Sequence, residues 1–293
     1  MIVGIVSAMI RWEPNLKKQL LWAANHGFAS IELSCRSWQH QIEGLWHKRW
    51  DPVDVIVREY RSFLTPFKNI NLHASFFFTY DEVYVSPHPL CQAIYLDEVR
   101  WACEIAAQIG ARVVTCHSGW LVHGKTEEQR ERSFLEGVQQ LNEVAVKYNV
   151  FIALETVEYL LPLEYCGLLT RINAPNVGLT LDIGHAHRTC PVGMPVHLFS
   201  KPAYAAFGTI ENFIWTFRDK IVHVHVHDCN GMESHLSLGT GNVDFAAILR
   251  TLKAIDYSGV LSLEFEGDET VQLLGKKYLE DILEQLRNSE KQT

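Results

Sequence analysis

The chain has no CxxC pair, and its seven cysteines (Cys35, Cys91, Cys103, Cys116, Cys166, Cys190, Cys229) are scattered and odd in number. That is the usage of reduced thiols in a cytoplasmic protein, not of a disulfide frame. No apolar run reaches membrane-spanning length. The opening MIVGIVSAMI is short, lacks a preceding basic region and meets Arg11 at once, so it reads as a first strand and not as a signal peptide. Basic charge is also in short supply: 26 Lys and Arg stand against 34 Asp and Glu, a net −8. This balance argues against a broadly cationic nucleic-acid surface. No linker or low-complexity segment divides the 293 residues, so residues 1–293 are expected to form one domain. Finally, no glycine-rich phosphate fingerprint follows the first strand, which counts against an open doubly wound sheet.

What is present is a strand-then-helix alternation. Strand candidates are Ile2–Met9, Ser30–Ser34, Ile70–Phe76, Arg112–His117, Val150–Glu155, Val177–Asp182, Ile221–His227 and Val260–Glu266. Between them lie amphipathic segments with helix signals. Asn15 can cap a helix burying Leu16, Leu20 and Ala23, and Asp51-Pro52 has the form of an N-cap followed by proline at the first helical position. Thr126 with Gln129 fits a capping box, and Asp244 opens a helix with Phe245, Ile248 and Leu252. Gly27, Gly110 and Gly259 stand where helices stop before the next strand. Eight strands, mostly followed by helices, predict a single-domain α/β fold, a closed (β/α)8 TIM barrel.

The chain is organised around Ile221 to Phe245. Val222, Val224 and Val226 alternate with His223, His225 and His227, so the imidazoles share one face of a strand. In a barrel, polar side chains at the C-terminal strand ends converge on one mouth. Strand three ends in His73 and strand four in His117. Strand five gives Glu155; strand six gives Asp182, His185 and His187. Strand seven supplies His225, with Glu233 and His235 behind it, and strand eight Glu264 and Glu266. Six consecutive strands ending in nitrogen and oxygen donors predict a divalent-metal site. His223 is expected to be a paired core histidine, and His227 and Asp228 to orient ligands.

The segments LTLDIGHAH, HVHDCNG with SHLSLGTGNVDF, and YSGVLSLEFEG resemble the xylose isomerase-like barrel superfamily. It contains sugar and sugar-phosphate isomerases and epimerases together with endonuclease IV. The resemblance runs from about Ile2 to the last helix. It implies metal ligands at Glu155, Asp182, His225 and Glu264, and a substrate-contacting histidine at His185. The nuclease branch implies a larger set for three zinc ions, adding His73, His117, Glu233 and His235. A cation that often follows the strand-seven motif in ketose epimerases is replaced here by Gly231.

The chemistry so implied is metal-dependent isomerisation or epimerisation of a sugar or sugar phosphate, with one or more Mn²⁺ or Zn²⁺ ions. Glu155 and Glu264 would act as opposed acid and base through an enediolate, and His185 would orient or protonate a substrate oxygen. The competing reading is a multi-zinc phosphodiesterase acting on abasic DNA, aided by a wedge at Arg36-Ser37-Trp38. The acidic balance makes nucleic acid the weaker partner. Membranes are not expected, and barrels of this type frequently pair as homodimers. Two long connections carry Trp38, Trp46 and Trp50, and Tyr80 and Tyr84, aromatics that would stack on a sugar ring or pack on each other. The LGTGN loop, Leu238–Asn242, offers either backbone N–H groups for a phosphate or a plain tight turn.

Overall fold

The computed structural model describes residues 1–35, 43–74, 89–117, 126–157, 163–188 and 203–290. The Arg36-Ser37-Trp38 segment and Tyr80 and Tyr84 lie outside the described residues. Eight parallel strands close on themselves in chain order. They are β1 (Ile2–Val6), β2 (Ser30–Ser34), β3 (Asn69–His73), β4 (Val113–Cys116), β5 (Phe151–Glu155), β6 (Val177–Asp182), β7 (Ile221–Val226) and β8 (Val260–Leu263). The pairing of Ile2 with Val260 and of Ile5 with Leu263 shuts the cylinder.

The helices are α1 (Leu16–Asn25), α2 (Val53–Leu64), α3 (Pro89–Ile109), α4 (Glu127–Tyr148), α5 (Ile183–Ala186), α6 (Ile210–Thr216), α7 (Phe245–Ala254) and α8 (Glu269–Glu290). Their starts follow the caps. Asn15 accepts from the Lys18 N–H at 3.2 Å, and Asp244 accepts from Ala247 at 2.9 Å. Thr126 and Gln129 bond reciprocally, which satisfies two otherwise orphaned donors of α4. Gly27 and Gly110 take the left-handed conformation that ends α1 and α3.

Some expectations need correction. Pro52 is itself the N-cap of α2, and Asp51 makes no cap bond there. The left-handed residue after α7 is Asp256, not Gly259. Residues Ser7–Met9 leave β1 as a 3₁₀ turn, and β3, β7 and β8 stop before their expected ends. Between β5 and β6 the described backbone is a 3₁₀ segment, Leu163–Thr170, in place of a full helix.

The period-two pattern sorts the strands into two layers. Ile31, Leu33, Leu72, Val114, Ile152, Leu154, Leu179, Leu181, Val224, Val226, Leu261 and Leu263 belong to the buried apolar cluster under the helices. Their neighbours face the lumen and are largely polar. Asn71 reaches across to His223, His73 to Glu155, and Thr115 to Thr180. Branched aliphatic side chains commonly fill this space in barrels. Here the lumen is a hydrogen-bonded column, while the apolar stabilisation comes from the layer outside it.

Trp50 is 89% exposed at the start of α2 and lies beside the Arg49 guanidinium, 5.8 Å from its ring centroid. Trp46 is partly exposed.

Close backbone approach demands glycine at the β6–β7 seam. A Cβ on Gly178 would lie 2.6 Å from the Lys220 carbonyl oxygen and 3.0 Å from both Val222 methyls. A backbone carbonyl in a ladder cannot retreat. Gly178→Ala is therefore expected to destabilise the fold by about 1–3 kcal/mol through overpacking. Urea denaturation measures this, and an unchanged midpoint would contradict the seam geometry.

Candidate metal centre at the barrel mouth

Glu155 is the last residue of β5, Asp182 the last of β6, His225 the fifth of β7, and Glu264 follows β8 directly. Glu264 prolongs the ladder through its N–H to the Val226 carbonyl at 3.0 Å. One donor atom of each of these four side chains lies within 4.8 Å of every other. The His225 Nδ1 is the hub, 2.7 Å from Glu264 Oε2, 3.5 Å from Glu155 Oε1 and 3.9 Å from Asp182 Oδ2. All four residues are buried.

This group passes a physical test for a cation. His225 Nδ1 and Glu264 Oε2 are buried and make no hydrogen bond, which is costly for polar atoms removed from water. Three carboxylates crowd one imidazole, a charge density that a buried site sustains only with a counter-charge. One nitrogen and several carboxylate oxygens suit Mn²⁺ or Zn²⁺. The titration behaviour follows from the same crowding. Burial alone would lower the His225 pKa, but the carboxylates of Glu264, Glu32 and Glu155 hold it well above the usual imidazole value. Burial opposes ionisation of Glu155 too, yet His117 and His225 keep its pKa well below the carboxylate range. Asp182 is raised, chiefly by burial.

Each of the four is held from outside. Glu155 Oε2 contacts both His73 Nε2 and His117 Nε2 at 3.0 Å, and His117 is steadied by the Tyr95 hydroxyl on its carbonyl. The bond to Glu155 lifts His73 to about 9 in spite of its burial. Asp182 Oδ1 accepts from the His185 backbone N–H at 2.7 Å, and His227 Nε2 lies 2.8 Å from the same oxygen. His227 Nδ1 accepts from the His235 N–H at 2.8 Å, so the proton of His227 sits on Nε2 and points at Asp182. Burial, reinforced by His185, pushes His227 down to about 3, which keeps it neutral. A Cβ on Gly184 would fall 1.9 Å from His227 Nδ1, so only glycine lets this ring into place. His235, in the left-handed conformation at φ 56°, donates from Nδ1 to the Glu264 carbonyl at 2.7 Å. His225 is held by Glu32, whose oxygens lie 3.1 and 3.2 Å from Nε2.

His185, His227 and His235 bring donor atoms within 4.8 Å of one another as a second group. Both nitrogens of His227 are already committed, however, so this group is built to steady Asp182. The His185 ring stands edge-on to His227 and His235, with centroids 5.0 and 5.1 Å away.

Other strand-end residues go elsewhere. Glu233 is exposed, accepts from Asn230 at 3.1 Å and joins none of the donor groups. The loop thus turns Glu233 outward, apart from the other residues expected as ligands. His187 bonds the Ile183 carbonyl and packs on Tyr204. Glu266 is exposed and paired with Arg11 at 2.7 Å. The sequence reading missed Glu32, a lone acid in the apolar strand SIELS that is 0% exposed. His223 is the expected paired core histidine, bonded to Glu32 and Asn71.

Asp228 settles the LGTGN loop. Its buried carboxylate accepts four backbone N–H groups: Cys229 and Val243 on Oδ1, and Gly239 and Gly241 on Oδ2, at 2.8–3.2 Å. The loop amides proposed for a phosphate are thus spent inside the protein. A Cβ on Gly241 would meet Asp228 Oδ1 at 2.3 Å. Asp228→Asn turns a donor toward two of these amides and is expected to cost ~2 kcal/mol or more. Hydrogen exchange should quicken at Gly239, Gly241 or Val243; unchanged protection at all of them would refute this account.

The profile described as xylose isomerase-like TIM barrel matches residues 20–289. An uncharacterized protein of Methanocaldococcus jannaschii is 26% identical over 98% of this chain and 92% of its own length. The L-ribulose 3-epimerase of Methylomonas sp. (strain DH-1) is 28% identical over 87% of this chain and 80% of its own. Among solved structures, a D-tagatose 3-epimerase-like protein superposes with a TM-score of 0.78 at 23% identity, covering 99% of both chains. An L-ribulose 3-epimerase gives 0.74 at 19% identity, covering 99% of this chain and 97% of that one. With a closed eight-stranded parallel barrel and a profile match over nearly its whole length, the chain belongs to the xylose isomerase-like TIM barrel family.

Proposed function

We propose that this protein is a divalent-metal-dependent epimerase or isomerase of a small keto sugar, with Glu155, Asp182, His225 and Glu264 holding the ion. The observation that carries the reading is the convergence of these four buried donors, with His225 Nδ1 and Glu264 Oε2 lacking any hydrogen bond. The similarity to the L-ribulose 3-epimerase of Methylomonas supports a ketose as substrate. When bound, Mn²⁺ or Zn²⁺ supplies Lewis-acid stabilisation of negative charge on the substrate's oxygens.

The protein's own groups then manage the proton. Glu155 ends β5 and Glu264 follows β8, with β6 and β7 between them, so their carboxylates would approach a substrate at the mouth from two different strand ends. One takes the proton from the carbon next to the carbonyl, leaving an enediolate, and the other returns a proton to the opposite face, which inverts that carbon. A single carboxylate acting on both steps would instead move the proton between neighbouring carbons and interconvert aldose and ketose. His73 and His117 occupy Glu155 Oε2 and favour the ionised carboxylate, leaving Oε1 toward His225. His185, buried edge-on against the stacked His227 and His235 rings, would orient a substrate oxygen.

In the strand-seven loop, Asp228 already holds the Gly239 and Gly241 amides, so those two are not offered to a phosphate. The nuclease reading is weakened because Glu233, one of the additional ligands it implies, is exposed and bonded to Asn230.

Replacing either carboxylate by its amide, Glu155→Gln or Glu264→Gln, is expected to lower kcat on ketoses by about 10²–10⁴-fold. In D₂O the native enzyme should place solvent deuterium on the inverted carbon. Undiminished turnover in Glu264→Gln rejects the assignment of bases. Chelation with EDTA should abolish turnover and Mn²⁺ restore it; activity that survives exhaustive chelation rejects the metal.

A further inference from the structure

Glu32 lies in the middle of β2 with no exposure to solvent. It is the meeting point of a chain that runs through the lumen. At the N-terminal end of the barrel, a cavity of about 410 Å³ is lined in part by Asn71 and His223. The Asn71 amide nitrogen lies 3.2 Å from His223 Nδ1. His223 Nε2 lies 2.7 Å from Glu32 Oε2, and His225 Nε2 lies 3.1 Å from Oε1 and 3.2 Å from Oε2. His225 Nδ1 then faces the mouth, 2.7 Å from Glu264.

The donor and acceptor roles along this chain are fixed by chemistry. An amide NH₂ only donates, so His223 Nδ1 accepts and its proton sits on Nε2. An ionised carboxylate only accepts, so both Nε2–H groups donate to Glu32. A carboxylate can receive both; a carboxamide has one acceptor oxygen, and its NH₂ would confront one of the two imidazole N–H groups. Among the described residues, Glu32 is thus the group in the column that obliges His225 to carry its proton on the side away from the mouth.

We propose that Glu32 is a positioning residue for the metal centre: it fixes His225 as the Nε2–H tautomer and so presents the Nδ1 lone pair to the ion. This rests on the metal-holding reading of Glu155, Asp182, His225 and Glu264. An outer carboxylate that orients a ligating imidazole in this way commonly matters to affinity nearly as much as the ligand. The role was hidden in the sequence because the partners of Glu32 lie 191 and 193 residues away.

The test uses the full-length protein, Mn²⁺ as the affinity probe and Zn²⁺ for ¹⁵N-histidine NMR. Glu32→Gln is expected to bind Mn²⁺ about 10–100-fold more weakly than the native protein. The Zn²⁺-loaded native protein should show His225 protonated at Nε2 with Nδ1 as the ligand, and Glu32→Gln should lose that signature. Equal Mn²⁺ affinity in the two proteins overturns the proposal. Should the variant fail to fold, the native spectrum decides alone: a His225 unprotonated at Nε2 overturns the role, and an Nε2–H hydrogen-bonded to a carboxylate supports it. A native protein that takes up no Mn²⁺ or Zn²⁺ defeats the metal reading itself, a result distinct from metal binding that ignores Glu32.

Discussion

Three carboxylates and an imidazole nitrogen, packed within 4.8 Å of one another and out of water, set the terms for the rest of this molecule. Like charges so close repel strongly where solvent cannot screen them. The protein answers with hydrogen bonds on the outer side of these groups, leaving their inner sides facing one another. His73 and His117 serve Glu155, His227 serves Asp182, and Glu32 serves His225. Glu264 is reached through its backbone by His235. β7 therefore contributes twice, with the His225 donor facing inward and, just past its end, His227 steadying Asp182.

Much of this was legible in the sequence, for a definable reason. Helix starts at Asn15, Thr126 and Asp244 are local events, decided by one side chain and an amide three residues on. The strand-end donors Glu155, Asp182, His225 and Glu264 could be picked out because barrel geometry sends every C-terminal strand end to the same place. The geometry of their convergence agrees with that expectation; whether an ion sits there is the proposal made above.

What could not be read was set by contacts distant in sequence. Glu32 meets His223 and His225 at separations of 191 and 193 residues, and a lone glutamate in an apolar strand carries no local mark of such partners. The outward turn of Glu233 was hidden for a similar reason. The path of the strand-seven loop is set by the four amides that Asp228 gathers and by left-handed backbone at Gly231 and His235. That path carries Glu233 outward and brings the His235 N–H onto His227. The cap of α2 was misread by one position, since Pro52 takes the place expected for Asp51.

The separation of an apolar jacket from a polar lumen has an evolutionary side. Hydrophobic cohesion resides in the strand faces turned toward the helices, so it is not drawn from the residues that line the bore. Lineages can then rewrite the bore, one hydrogen-bonded pair at a time, while the jacket keeps the cylinder standing. A scaffold partitioned like this can change the chemistry of its bore without first acquiring a new architecture.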